Sequence, residues 1–249
     1  MSTPVRPDGH MHPFPAEIDN LLLEAMTSHD RAALLEGGER VKFGLGDRMF
    51  SASGDVPYVY FPTAGMLSVV TRMADGASVE AVTIGKEGVS GPPIIIESGS
   101  ISNVDCLCQL PGGGLRVPTR TFFDLRRQSS TFDELVDRYA LVVFGQIAQT
   151  AACNRLHGIE ARASRWLLQA HDRFGQEIVP ITHEFLAEML GVRRETVSLT
   201  LRILQNAGLI ETRRGGVRVV DREGLESTCC ECYGVMRAEL ERLFPFLQG

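Results

Sequence analysis

Residues 182–221 read THEFLAEMLGVRRETVSLTLRILQNAGLIETRRGGVRVVD, and this stretch decides how the C-terminal part of the chain folds. A first helix is predicted at His183–Leu190, because Thr182 is a favourable N-cap and Gly191 tolerates the left-handed conformation that ends a helix. A second helix is predicted at Arg194–Asn206. The short connection between the two is typical of a helix-turn-helix.

The second helix is amphipathic. At 100° per residue, Val197, Leu201 and Leu204 fall on one side and are expected to face the core. The opposite side, turned to solvent or to a groove, carries Arg194, Glu195, Ser198 and Arg202.

A small hairpin is predicted after the second helix. Leu209–Thr212 and Val217–Val220 alternate like strands, with Gly215-Gly216 at the turn. Two helices followed by a hairpin form a winged helix-turn-helix, a layout that points to double-stranded DNA.

The charge distribution agrees with a nucleic-acid partner. The chain of 249 residues has a net charge of −6, which by itself argues against DNA. The segment from Arg193 to Arg222, however, has seven arginines and three acidic residues, a local charge of +4. A positive footprint confined to one module is what a DNA-binding segment needs.

The segment RRETVSLTLRILQNAGLI resembles the recognition helix of the Crp/Fnr family of transcription regulators, most specifically at residues 194–198. The resemblance implies that Arg194 donates to a guanine edge and that Glu195 accepts from a cytosine amino group. It implies a base or phosphate contact for Ser198. The full set of DNA-binding residues predicted from the helix and the wing is Arg193, Arg194, Glu195, Thr196, Ser198, Leu199, Arg202, Arg213 and Arg214.

Leu199 departs from the family pattern, in which many members have a second base-reading arginine at this position. Leucine cannot pair with guanine and can at most contact a thymine methyl group. We therefore expect a half-site that differs from the best-known one of the family. The same departure keeps open a second interpretation, a ligand- or redox-sensing or scaffold protein of this fold that has lost specific DNA binding.

The rest of the chain is expected to complete an α+β fold. Residues 1–14 are expected to be disordered, and residues 15–130 to form a sensor domain built on an antiparallel β-roll similar to cyclic-nucleotide-binding domains. Residues 131–156 are predicted to be a dimerisation helix, opened by a capping box at Thr131 and Glu134. Residues 157–249 are assigned to the winged helix-turn-helix with a C-terminal helix.

The long helix has two apolar seams, so both must be buried. One is expected to pack on the β-roll and the other on a second copy of the chain. The resemblance favours a homodimer, and two recognition helices read enough base pairs to be selective. The predicted interface consists of Leu135, Tyr139, Val142, Val143 and Ile147.

No cofactor is predicted. Where related cyclic-nucleotide sites have a Gly-Glu pair and an Arg-Ser/Thr pair, this chain has Gly91-Pro92 and Ser102-Asn103. A buried phosphate would have no cationic partner, so cyclic AMP and cyclic GMP are not expected. The iron–sulfur members bind their cluster mostly through N-terminal cysteines, whereas the first cysteine here is Cys106.

The remaining cysteines and histidines give no enzyme signature. Cys106 and Cys108 are expected to pack inside the roll, with haem ligation or a redox pair as alternatives. The cluster Cys229, Cys230 and Cys232 is placed on a C-terminal helix, where CCxC spacing is unusual for a metal site, and its role stays open. No histidine lies in the β-rich segment, which excludes a cupin-type metal enzyme.

Partners and location follow from these expectations. The sequence has no hydrophobic stretch long enough to cross a membrane, and a cytoplasmic protein with reduced thiols is expected. Besides double-stranded DNA and a second subunit, the expected partners are RNA polymerase and an unidentified small-molecule or redox effector. The sequence thus predicts a homodimeric transcription regulator and no enzyme activity.

Overall fold

The computed structural model describes residues 19–90 and 104–244. These residues form an α+β fold with an N-terminal antiparallel sheet and a C-terminal helical part, as predicted. The predicted tail at 1–14 and the positions compared with nucleotide sites, Gly91-Pro92 and Ser102-Asn103, lie outside the described residues. Within those residues, no helix is both long and apolar enough to cross a membrane.

In the described part of the chain, the strands belong to two antiparallel sheets. The strands of the first sheet are β1 (Glu39–Phe43), β2 (Arg48–Phe50), β3 (Tyr58–Arg72), β4 (Ser78–Ile84) and β5 (Asp105–Pro118). The strands of the second sheet are β6 (Ile178–Val179), β7 (Ile210–Arg213) and β8 (Gly216–Val219). The helices are α1 (Leu21–Glu24), α2 (Ser28–Gly37), α3 (Thr119–Gln128), α4 (Ser130–Leu156), α5 (Ile159–Phe174), α6 (His183–Leu190), α7 (Arg194–Asn206), α8 (Arg222–Thr228) and α9 (Cys232–Leu243).

The first sheet is organised around its two longest strands. Its order is β1-β5-β3-β4, all antiparallel, and β2 also pairs with β5. The strands β3 and β5 reach 15 and 14 residues because glycines allow them to bulge without breaking. A Cβ at Gly65, which has a φ of +82°, or at Gly112 would collide with the backbone of the opposite strand.

The N-terminus of α4 differs from the predicted capping box. The helix begins at Ser130, and Ser129 is its N-cap, with Oγ accepting a hydrogen bond from the Phe132 amide at 3.2 Å. Thr131 is not the cap, because its hydroxyl donates to Asp30 Oδ2 at 3.3 Å. The buried carboxylate of Asp30 therefore fixes the beginning of the long helix on α2.

The helical part packs directly on the sheet through a continuous apolar core. Met66 and Leu110 from the sheet share this core with Trp166 of α5 and Leu186 of α6. An ion pair between Arg173 Nη2 and Glu87 Oε1, 2.7 Å apart and nearly buried, lies beside it. The helix α9 packs along α4, so the chain returns to the long helix after the wing.

Glu80 is buried in the contact between the sheet and α5. Its Oε2 accepts hydrogen bonds from Ser68 Oγ and Gln109 Nε2, each at 2.7 Å, and from Trp166 Nε1 at 3.4 Å. Burial raises the pKa of this carboxyl above its ordinary value of 4.5, although Ser68 and the positive charge of Arg165 act in the opposite direction.

The raised pKa of Glu80 predicts a pH dependence of stability. The folded state holds the proton more tightly than the unfolded state, so this contribution is complete below pH 4.5 and is lost as pH rises through the folded pKa. In Glu80→Gln, which keeps an oxygen acceptor, urea unfolding over a pH series should show a smaller loss of stability above pH 4.5. Parallel profiles for the two proteins would contradict this assignment.

Candidate nucleic-acid interface

The helices α6 and α7 form the predicted helix-turn-helix. Thr182 Oγ1 accepts from the Phe185 amide at 3.1 Å and caps α6, and Gly191 ends it with a φ of +62°. Val197, Leu201 and Leu204 of α7 are buried, as the sequence predicted. The turn and the core therefore hold α7 with one fixed face outward.

The outward face of α7 carries most of the predicted DNA-binding residues. Arg193, Arg194, Glu195, Leu199 and Arg202 are exposed. Thr196 and Ser198 are half-buried at the edge of this face. A helix with exposed arginines and a glutamate at its beginning can present donors and an acceptor to base edges in a major groove.

Arg194 is oriented by a neighbour that the sequence analysis did not identify. Its Nε lies 2.5 Å from Oε1 of Glu184, which is in the first turn of α6. A hydrogen bond from its own backbone amide and the charge of Arg194 lower the pKa of Glu184. Glu184 and Arg194 are ten residues apart and lie on different helices. The spacing of three or four residues that indicates an ion pair within one helix therefore does not reveal this pair.

Ser198 also has a partner within the chain. Its Oγ lies 2.8 Å from Nδ1 of His183, the first residue of α6. The hydroxyl therefore joins the two helices. For its predicted contact with a base or phosphate, the same hydroxyl has to serve both His183 and the DNA.

The hairpin β7–β8 forms the wing, with its turn one residue earlier than predicted. Arg213 pairs with Gly216, and Gly215, with a φ of +95°, occupies the turn beside Arg214. Arg213 Nη2 contacts Glu211 Oε1 at 2.6 Å. Both predicted wing arginines are exposed at the tip, where they can reach a phosphate backbone.

The structure corrects part of the predicted dimer interface on α4. Tyr139 is 2% exposed, and its hydroxyl donates to the Val89 carbonyl at 3.2 Å, while Val142 is 8% exposed. Both therefore belong to the core of their own protomer and are not available to a partner. Leu135 and Val143 are half-buried, and Ile147 is exposed.

The exposed apolar face of α4 contains residues that the sequence analysis missed. Leu141 is 72% exposed and Phe144 is 67% exposed, and Ile147 and Ala148 continue the same face one turn later. Their spacing of three and four residues is that of a helix-packing seam. This spacing is visible in the sequence, but only the packing of Tyr139 against its own protomer shows that the face with Leu141 and Phe144 is exposed to solvent.

The cysteines lie in two places. Cys106 and Cys108 are fully buried in the sheet, as expected, and burial raises the pKa of Cys108 to about 12. Cys229 and Cys230 connect α8 to α9 and Cys232 begins α9, so the predicted placement of the CCxC cluster inside one helix is wrong. Cys229, the C-cap of α8, has an extended backbone, so the helix ends before Cys230.

The comparisons with known proteins support this description. Residues 161–228 match the Crp-like helix-turn-helix domain. No curated protein matches the chain in sequence.

Solved structures show the same fold. A Crp/Fnr-family transcriptional regulator from Eubacterium rectale aligns with a TM-score of 0.65 at 17% identity, over 83% of this chain and 96% of that chain. FixK2 from Bradyrhizobium japonicum aligns with a TM-score of 0.66 at 14% identity, over 78% and 98%. The c-di-GMP-responsive regulator CLP of Xanthomonas campestris aligns with a TM-score of 0.61 at 15% identity, over 78% and 99%.

Proposed function

We propose that the protein is a homodimeric transcription factor that reads the major groove of DNA. The proposal is supported by the match of residues 161–228 to the Crp-like helix-turn-helix domain and by the fold that the chain shares with Crp/Fnr regulators. The observation that carries the proposal is the outward face of α7. Arg194 and Glu195 lie at its exposed beginning, and its opposite face is locked in the core. In this position, Arg194 binds guanine and Glu195 binds the amino group of cytosine.

Glu184 prepares Arg194 for this role. An exposed arginine samples many rotamers, and immobilising such a side chain on binding costs about 0.5–1.5 kcal/mol. The contact with Glu184 Oε1 restricts the guanidinium before DNA arrives. Glu184 also occupies part of the guanidinium fork, so a guanine edge has to bind the remaining donors or displace the carboxylate.

The dimer forms through the exposed seam of α4. Leu141, Phe144 and Ile147 would be buried between two copies of this helix, running side by side around a two-fold axis. Such an arrangement gives the two recognition helices a two-fold relation, so the DNA site has two inverted halves.

An effector that contacts the sheet domain can act only if it favours one orientation of the helix-turn-helix over another. The direct contact between Ser78 Oγ and Glu188 Oε1, 2.5 Å apart, joins the sheet to α6 and is one contact that such a reorientation would break. RNA polymerase is the further partner we propose for a bound dimer.

The test is selection of bound sequences from a random pool of double-stranded DNA by the full chain. We expect enrichment of a two-fold-symmetric site whose half-sites contain the G·C pairs that Arg194 and Glu195 read. A bound fraction with no symmetric enrichment would instead favour the second function, a sensor or scaffold that has lost specific DNA binding.

The wing gives a separate prediction. Arg213→Ala and Arg214→Ala should each weaken binding to the selected site and to unrelated DNA by a similar factor, because phosphate contacts carry no sequence information. In a salt titration, each should reduce the slope of log K against log salt by about 1. Arg120→Ala, an exposed arginine on α3, is the matched control and should leave both quantities unchanged. A loss restricted to the selected sequence would place the wing on bases instead.

A further inference from the structure

Four metal-ligating side chains converge where α4 ends and α9 begins. They are Cys153, His157, Cys230 and Cys232, and their ligand atoms all lie within 4.8 Å of one another. The three cysteines are buried and the histidine is half-buried. Neither the recognition of DNA nor the dimer seam uses any of them.

The local structure explains why they meet. Cys153 lies in the last turn of α4, and His157 is the C-cap residue of the same helix, with its amide donating to the Cys153 carbonyl. Cys230 and Cys232 lie on the turn into α9, which packs along α4. The ligands therefore come from two short segments, C-x₃-H and C-x-C, on different elements of the fold. Structural zinc sites also combine two short ligand segments, although the spacings here differ from the usual C-x₂₋₄-C and H-x₃₋₅-H.

The distances suit a single small ion. Cys153 Sγ lies 3.5 Å from Cys230 Sγ, and Cys232 Sγ lies 3.5 Å from His157 Nδ1. A tetrahedral zinc ion with bonds of about 2.3 Å to sulfur holds its ligand atoms about 3.8 Å apart. An iron–sulfur cluster spreads its thiolates around several iron atoms, which requires a wider arrangement.

The groups around the cluster match the outer contacts of a zinc site. Nε2 of His157, on the far side of the ring from the cysteines, lies 3.1 Å from Oε2 of Glu231. A carboxylate behind a ligating histidine fixes the tautomer that leaves the other nitrogen free for metal. Gln149 Nε2 donates to Cys232 Sγ at 3.1 Å, a second contact that stabilises a thiolate.

The surrounding charges favour an anionic site. Arg162 and Arg165 of α5 are buried, and in the described part of the chain the Nε of each has no hydrogen-bond partner. Three thiolates and one Zn²⁺ together carry a single negative charge, which compensates buried guanidinium groups in this region. Arg165 interacts electrostatically with both Glu80 and Cys153. The cluster therefore supplies part of the negative charge that balances Arg165.

We propose that Cys153, His157, Cys230 and Cys232 bind one zinc ion, which fastens the C-terminal helix α9 to the end of the dimerisation helix α4. With four protein ligands, the site is closed and has no open position for catalysis. It lies beside Gly158, which precedes α5, so the ion holds the junction between the long helix and the helix-turn-helix part.

The test is the metal content of the full chain, purified in reducing buffer without a metal-affinity step and measured by elemental mass spectrometry. We expect one zinc per chain in the original protein and none in Cys232→Ser. Cys229→Ser is the matched control, because this neighbouring thiol is not among the four ligands and should leave the zinc content unchanged. Equal zinc in Cys232→Ser and Cys229→Ser would overturn the proposal.

A milder variant tests the zinc site even if the cysteine variant does not fold. Glu231→Ala removes only the carboxylate behind His157, at an exposed position, and should weaken zinc affinity by about 10–100-fold in competition with a chelating dye. Cobalt added to the metal-free protein should give the intense visible absorption of a tetrahedral cobalt–thiolate site, lost in Cys232→Ser. Stoichiometric iron with sulfide, a Cys153–Cys230 disulfide without metal, or no uptake of zinc by fully reduced protein would each overturn the assignment.

Discussion

The double substitution Leu141→Asp and Phe144→Asp is expected to dissociate the proposed dimer into monomers. Both side chains project from the exposed seam of α4 and are more than two-thirds solvent-accessible in the protomer. A substitution that removes an anchoring residue costs about 2 kcal/mol or more, so two positions raise the dimer dissociation constant by about 1,000-fold or more. Sedimentation velocity at several concentrations measures the change.

The folded protomer should survive this double substitution, because neither side chain belongs to its core. The circular dichroism spectrum is therefore expected to remain that of the original protein. Leu45→Asp, at an exposed leucine in the turn after β1, is the matched control and should remain dimeric. A dimer that persists in the double variant would show that the subunits meet through another surface.

Loss of the dimer is also expected to remove selective DNA binding. One recognition helix contacts a single half-site, and each mismatched base pair changes the affinity by only about 1–3 kcal/mol. The monomer should therefore bind the selected site and unrelated DNA with similar, salt-sensitive affinity. Fluorescence anisotropy with both DNA molecules at matched salt measures the ratio.

The second large effect is expected at Arg194. Arg194→Ala removes the donors assigned to guanine, and should cost about 1–3 kcal/mol in each half-site while affinity for unrelated DNA changes much less. Repeating the selection with the variant should give a site with relaxed preference at that one position. Arg194→Lys should recover only part of the affinity, because an ammonium lacks the planar fork.

Glu184→Gln separates orientation from base contact. It removes the charged partner of Arg194 without removing the arginine, so the preferred base should persist with a moderate change of affinity. Arg120→Ala again serves as a control far from the interface. A selected site unchanged in the Arg194→Ala variant would remove this residue from the reading of the sequence.

Much of this architecture was predictable because it depends on local rules. The capping threonine, the left-handed glycine and the period of Val197, Leu201 and Leu204 act within a few residues, so the bounds of α6 and α7 follow from them. The β-rich segment was also recognisable. The bulges in β3 and β5 were not, because the close approach of Gly65 and Gly112 to the opposite strand is a tertiary contact.

The exposed apolar face of α4 is a feature that periodicity alone does not predict. The long helix has apolar residues around most of its circumference, and the pattern alone does not say which of them the protomer covers. Packing against the sheet buries Tyr139 and Val142, and leaves Leu141 and Phe144 outside. Even the helix cap depends on a distant residue, because Asp30 engages the hydroxyl of Thr131.

The sequence alone determined the two helices of the helix-turn-helix and the chemistry of the recognition helix, since hydrogen bonds, caps and side-chain period act between near neighbours. Only the tertiary structure decided which groups meet across long separations. It joins Glu184 to Arg194 across a turn, and it joins Cys153 and His157 to Cys230 and Cys232 across more than seventy residues. The meeting of the cysteines and the histidine depends on how α9 packs on α4, which is a property of the whole core and is not encoded in any local motif.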